Sequence, residues 1–201
     1  MTAARHILRY LKHTLDLELR LVKKASPELK GYSDSDFGGD VDNSRSTSGY
    51  VFLINGGAVS WKSQQQSLVA ESTLEAEYTA MSSASSECIW LQGLLDEIMD
   101  NFNGSMASSN GSNDNKKICI SERFSTILAD NQGAIAVAHN PGMNKRSKHI
   151  RIRYHRVRDL VENEEVKFEY CPTSEMVADC LTKSLPRPTH EQHRKALGLV
   201  A

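Results

Sequence analysis

Hydrophobic and polar positions follow two different periods along this chain, and the switches between them lay out its elements. Ala4, Ile7, Leu8, Leu11 and Leu15 recur at three- and four-residue steps, which predicts a helix over residues 3–15. The chain starts inside this element, so an upstream partner is expected. Leu29 to Ser33 reads as a short strand running into an Asp-rich turn. Gly49 to Ile54 is β-branched and aromatic, Asn55-Gly56-Gly57 is a turn signal, and Ala58 to Gln64 returns as the hairpin partner. Thr73 to Asp100 carries the longest helical signal, and Asn101 to Lys117 turns Asn-, Ser- and Gly-rich, which reads as a flexible loop insertion. A strand over Ser125 to Ala129 and a helix from Asn131 to about His139 follow, stopped by Asn140-Pro141-Gly142. Ile150 to Val161 is helical and basic, Val166 to Tyr170 alternates as a strand, and Ser174 to Lys183 reads as a short helix. Pro186 and Pro188 close the domain, and Thr189 to Leu197 adds a small helix. Three antiparallel strands followed by alternating strand and helix predict an α/β fold, with one mixed five-stranded sheet flanked by helices.

Four carboxylates stand where such a fold could gather them, and hard oxygen ligands of this kind suit Mg²⁺. Asp34 and Asp36 lie two apart in an extended segment, so they would share a face. An acidic turn closed by Gly38-Gly39 reads equally well. On the long helix, stepping about 100° per residue from Leu74 puts Tyr78, Met81, Ser85, Cys88 and Leu95 on one apolar stripe. Glu77 falls inside that stripe and Glu75 outside it. A carboxylate on a buried face is costly without a metal or cation, which makes Glu77 the ligand candidate. Asp130 follows a strand and precedes a helix. Its motif alone favours an N-cap, although α/β folds also place their chemistry at that strand end. Asp179, three residues after Met176, reads in isolation as an exposed helical Asp.

Composition narrows the class. With 201 residues, 39% apolar and 24% charged, the chain is long enough for one domain with extensions and an ordinary core. No apolar run is long enough to cross a bilayer, and residues 1–10 lack a signal-peptide core, so an intracellular protein without a membrane partner is expected. Cys88, Cys119, Cys171 and Cys180 show no metal or disulfide spacing and are expected to be reduced thiols. The net charge of −1 conceals an uneven distribution. Seven Lys or Arg and no acid lie between Lys145 and Arg158, and a second basic stretch runs from Arg5 to Lys30. Four Asp and no base lie between Asp34 and Asp42. A basic rim around an acidic centre suits a metal-dependent enzyme acting on a polyanion.

The strings GYSDSDFGGD, RSTSGYVFLINGGAVSWKSQQQ, ESTLEAEYTAM, LADNQGAIAV, RSKHIRIRYHRVRDLV and MVADCLTKSLPRP occur in that order over about residues 28–188. Together they resemble the ribonuclease H domain that ends the Pol polyprotein of Copia-type LTR retrotransposons. The segment AARHILRYLKHTLDLEL resembles the connection after reverse transcriptase, and HRKALGLV resembles the polyprotein's end. The resemblance divides the chain into a connection tail (1–27), a ribonuclease H-like domain with an insertion at 101–117 (28–185), and a C-terminal tail (186–201). It implies hydrolysis of the RNA strand of RNA–DNA hybrids during reverse transcription. The implied metal tetrad maps onto Asp34, Glu77, Asp130 and Asp179. Two Mg²⁺ ions are implied, one activating water and one stabilising the leaving 3′ oxygen, with Mn²⁺ expected to substitute. Cellular relatives carry a His in the loop before the last Asp-bearing helix. Here that loop is Cys171-Pro172-Thr173-Ser174, leaving His149 or His155 as the alternatives.

A hybrid-cutting enzyme senses backbone shape and 2′-hydroxyls rather than sequence. Lys145, Arg146, Lys148, Arg151 and Arg153 are the candidate phosphate binders, with His149 and His155 beside them. Ser46, Thr47, Gln64, Gln65 and Asn131 are candidate polar contacts. The implied partners are the hybrid itself and a reverse transcriptase domain absent from this chain. The implied location is a cytoplasmic virus-like particle or the nucleus. The competing readings are an inactive nucleic-acid-binding remnant and a structural module of a Pol polyprotein.

Overall fold

The computed structural model describes residues 2–24, 28–107, 125–140 and 151–201. After helix α1 (Thr2–Lys12) and a short strand β1 (Glu18–Leu19), the chain enters β2 (Leu29–Asp36), β3 (Thr47–Ile54) and β4 (Gly57–Gln65). Helix α2 (Thr73–Ala107) leads to β5 (Ser125–Ala129), α3 (Gln132–His139), α4 (Arg151–Glu162) and β6 (Val166–Tyr170). A 3-10 turn (Thr173–Glu175), α5 (Asp179–Thr182), α6 (Arg187–Ala196) and β7 (Leu199–Val200) complete it.

The main sheet has the order β4-β3-β2-β5-β6. Its first three strands are antiparallel, and β5 and β6 join in parallel. This is the mixed, helix-flanked sheet that the periodicities predict, and it has the ribonuclease H-like fold that the resemblance implies. The β3–β4 hairpin turns on Asn55 and Gly56, both at positive φ (51° and 84°), the backbone that a two-residue type I′ turn demands. Alternation along β3 sends its side chains to two cores. Tyr50 and Phe52 join Tyr78, Met81 and Cys88 of α2, Ile127 of β5, Val157 of α4 and Phe168 of β6. Val51 and Leu53 pack instead with Leu128, Met176, Val177 and Ala178 on the opposite face.

Four sequence expectations change. Helix α2 continues to Ala107, seven residues into the stretch read as a loop, and the rest of 101–117 lies outside the described residues. The helix expected over Ser174 to Lys183 divides into the 3-10 turn and the four-residue α5, because Met176, Val177 and Ala178 are drawn into the second core. Strand β2 runs on through the Asp-rich segment to Asp36, paired with β3 as far as Thr47. The chain ends also meet in a small sheet not expected from sequence, in which Glu18 pairs with Val200 and Leu19 with Leu199. Backbone bonds from Arg20 to Gly198 and from Ala58 to Leu197 tie that sheet to the β3–β4 hairpin. Among the described residues, Cys88, Cys171 and Cys180 are free thiols, and no helix is long and apolar enough to cross a membrane.

Candidate metal centre

Register brings the first two acids together. In the parallel ladder Tyr32 of β2 lies opposite Leu128 of β5, and two residues further along each chain stand Asp34 and Asp130. Helix α2 begins on a reciprocal cap: Ser72 Oγ accepts from the Glu75 amide, while Glu75 Oε2 accepts from the Glu71 amide. That cap consumes Glu75 and leaves Glu77, two residues on, inside the buried stripe at 4% exposure. Asp34, Glu77 and Asp130 each offer a carboxylate oxygen, and those atoms all lie within 4.8 Å of one another. Glu77 is buried, as its place on the helical wheel predicts, and Glu75 is not.

Asp130 is not the cap its motif favours. Asn131 Oδ1 accepts the Ala134 amide at 2.9 Å and caps α3, which frees the Asp130 carboxylate for the cluster. Thr173, from the loop after β6, donates to Asp130 Oδ2 at 2.8 Å. Asp179 differs from the reading as an exposed helical Asp: it is the first residue of α5 and 4% exposed. Lys183, one turn on, places its Nζ 3.0 Å from Asp179 Oδ1 and 3.6 Å from Asp34 Oδ2. Thr182 Oγ1 also donates to Asp34 Oδ2. Asp179 thus joins Asp34 both through a shared ammonium and by a side-chain hydrogen bond.

Crowding and burial show in the titration of these groups. Burial, reinforced by the charges of Asp34 and Asp130, raises Glu77 to about 8. Burial raises Asp34 to about 6, against the opposing hydroxyl of Thr182 and charge of Lys183. Asp179 is also raised, with burial as the first cause. Glu77 Oε2 is buried without a hydrogen-bond partner among the described residues. A buried, unpartnered carboxylate oxygen beside two further hard oxygen donors is a fit for a divalent cation of the Mg²⁺ type.

The remaining sequence candidates scatter. Arg153 and His155 are exposed on α4. Gln64, Gln65 and Arg153 line one polar concavity of about 120 Å³ with Ser48 and Lys62. Ser46 is fully buried and accepts the Gly38 amide at 3.1 Å, a bond that shapes the β2–β3 loop. Thr47 is half-buried at the start of β3, and Asn131 is engaged as the α3 cap. Arg151 opens α4, while Lys145, Arg146, Lys148 and His149 lie outside the described residues. Sequence reasoning missed Thr173, Thr182 and Lys183. The last two stand three and four residues after Asp179, the spacing at which a helical residue reaches its neighbour, and that signal could have found them.

A mixed sheet of this order, with acids from β2, α2, the end of β5 and α5 around one point, defines a ribonuclease H-like domain with a candidate metal centre. The LC11-RNase H1 structure, solved in complex with RNA/DNA hybrid, is similar with a TM-score of 0.49 at 14% identity, covering 77% of this chain and 94% of that one. No family model matches the sequence. The retrovirus-related Pol polyprotein from transposon TNT 1-94 of Nicotiana tabacum is 36% identical over 98% of this chain and 13% of its own length. That from transposon RE2 of Arabidopsis thaliana is 32% identical over 98% of this chain and 12% of its own length. Over nearly its whole length the chain is homologous to Copia-type, retrovirus-related Pol polyproteins, and it spans about an eighth of the length of these relatives.

Proposed function

We propose that this chain is a metal-dependent ribonuclease H that hydrolyses the RNA strand of an RNA–DNA hybrid during retrotransposon reverse transcription. The observation that carries the reading is the approach of Asp34, Glu77 and Asp130 to within 4.8 Å. These three would hold Mg²⁺, or Mn²⁺ in its place, and Asp179 would complete a site for two ions. Bound there, the metal supplies Lewis acidity toward a phosphate and a more acidic water. The chain's own contribution is positional. Thr182 holds Asp34, Thr173 holds Asp130, and the α2 stripe fixes Glu77 against the sheet. Arg153, Gln64 and Gln65 line a polar concavity suited to the sugar–phosphate backbone of the hybrid. The exposed apolar residues Ile7, Leu8 and Leu11 of α1 support docking against a reverse transcriptase domain of the same polyprotein. Such an enzyme would work inside the cell, in a cytoplasmic virus-like particle or the nucleus.

A gel assay on labelled RNA–DNA hybrid, double-stranded RNA and double-stranded DNA tests the reading. Cleavage of the hybrid alone, only with Mg²⁺ or Mn²⁺, is expected, falling by at least about 10³-fold in Asp34→Asn. Undiminished cleavage in that variant would remove the site assignment.

Lys183 favours a second reading. Its ammonium already bridges Asp34 and Asp179, so the site would hold one added cation instead of two, and the chain would bind hybrid without cutting it. Metal-independent binding with no cleavage by either metal would select it.

A further inference from the structure

Helices α1 and α6 face one another across an open cleft of about 900 Å³, within the size range of ligand-binding clefts (~300–1,000 Å³). Its walls are His6, Arg9 and His13 from α1 and its end, and Arg187, His190 and Arg194 from α6. Each trio follows the three- to four-residue step that lines one side of a helix. Among the described residues the only acid in the lining is Glu191, and it is already paired with Arg187 Nε at 2.8 Å. Three arginines therefore share one carboxylate, before any histidine charge is counted. Like charges set face to face repel, and among the described residues the lining holds no second acid to offset these rows.

Two further observations point to an external anion. Arg194 Nε is buried and has no hydrogen-bond partner among the described residues, an unused donor in a wall of the cleft. Helix α1 also turns its basic side toward α6 while Ile7, Leu8 and Leu11 remain 60%, 65% and 52% exposed. That orientation is the reverse of what burial of apolar surface alone would choose.

We infer that the α1–α6 cleft binds the sugar–phosphate backbone of a nucleic-acid strand, at a site separate from the metal centre. The dimensions favour a strand over a lone phosphate. Seven residues of helix rise about 10 Å along each wall, and a nucleic-acid strand carries one charge per ~3.4 Å of duplex axis, so each row spans about three phosphates. Along the sequence, the connection from α5 to α6 carries Lys183 at the acids and Leu185 and Arg187 at the cleft, so the two sites neighbour one another in the chain. Binding here requires no catalysis, and either reading of the metal centre leaves it standing.

The test is fluorescence anisotropy of the full chain with a labelled single-stranded oligonucleotide in EDTA, across a salt series. The double variant Arg9→Gln/Arg194→Gln is expected to weaken binding and to lower the slope of log K against log salt by about 1.4, from two lost phosphate contacts. Lys23→Gln, an exposed base outside the cleft, is expected to bind as the wild type does, which separates the cleft from general surface charge. Unchanged affinity and slope in a folded double variant would overturn the inference. If the double variant does not fold, photo-crosslinking of the oligonucleotide to the wild-type chain decides. Crosslinks mapping to residues 6–14 and 187–194 support the cleft, and crosslinks confined elsewhere overturn it. Inorganic phosphate at matched ionic strength is expected to displace the strand no better than chloride. Preferential displacement by phosphate would mean a single-phosphate site and would also overturn the strand assignment.

Discussion

The metal centre and the α1–α6 cleft both crowd charges of one sign, yet their surroundings are opposite. The acids sit on the sheet and on the buried stripe of α2, where Asp34 is 1% and Glu77 4% exposed. The bases stand mostly on exposed helical faces, with Arg187 88% exposed at its side chain. Burial converts crowding into displaced titration, and Glu77 and Asp34 move to about 8 and about 6. Water screens the same crowding in the cleft. The lesson concerns rigidity: acids built on strands and a long helix are held in place although they repel.

The sharpest way to break this contrast is to disturb the scaffold under the acids. Gly49 of β3 lets α5 lie close. A Cβ there would meet Thr182 Cγ2 at 2.7 Å and Leu181 Cβ at 3.0 Å. Gly49→Ala is expected to cost about 1–3 kcal/mol in denaturant unfolding and to displace Thr182 and Lys183 from Asp34. Wild-type stability in this variant would mean that α5 is not held against the sheet as described.

A smaller effect comes from removing a buried charge, whose cost is burial first and repulsion by Asp34 and Asp130 second. In the metal-free protein Glu77 keeps its proton to about pH 8, against an ordinary value of 4.5. The native state therefore binds that proton more tightly than the unfolded chain does. Its contribution to stability is complete below about pH 4.5 and is lost as pH rises through about 8. Glu77→Gln is expected to leave stability near pH 4.5 unchanged and to raise it by about 1 kcal/mol at pH 8, in thermal or urea unfolding without metal. A gain independent of pH would contradict the assigned cause. The matching relief in the cleft, Arg9→Gln, is expected to leave the unfolding midpoint unmoved, because its environment is solvated.

Much of this was legible before any coordinates. The 2.0 and 3.6 periods gave the main strands and helices, and the α2 wheel placed Glu77 in the buried stripe and Glu75 outside it because burial follows angular position. Asp130 was harder: Asp and Asn are both good caps, and adjacent Asp130-Asn131 leaves the choice to backbone geometry at the start of α3. Asp179 was misread because its burial comes from packing of Met176 and Val177 against β3 and β5, a contact remote in sequence. The β1–β7 sheet was invisible for the same reason, since two-residue strands carry no period.

The cation capacity of the acids is measured most directly by Mn²⁺ titration followed by electron paramagnetic resonance, comparing the wild type with Asp34→Asn at pH 8. Saturable binding by the wild type, sharply weakened in the variant, is expected if these carboxylates act as one site. Equal binding by both proteins, or none by the wild type, would contradict it.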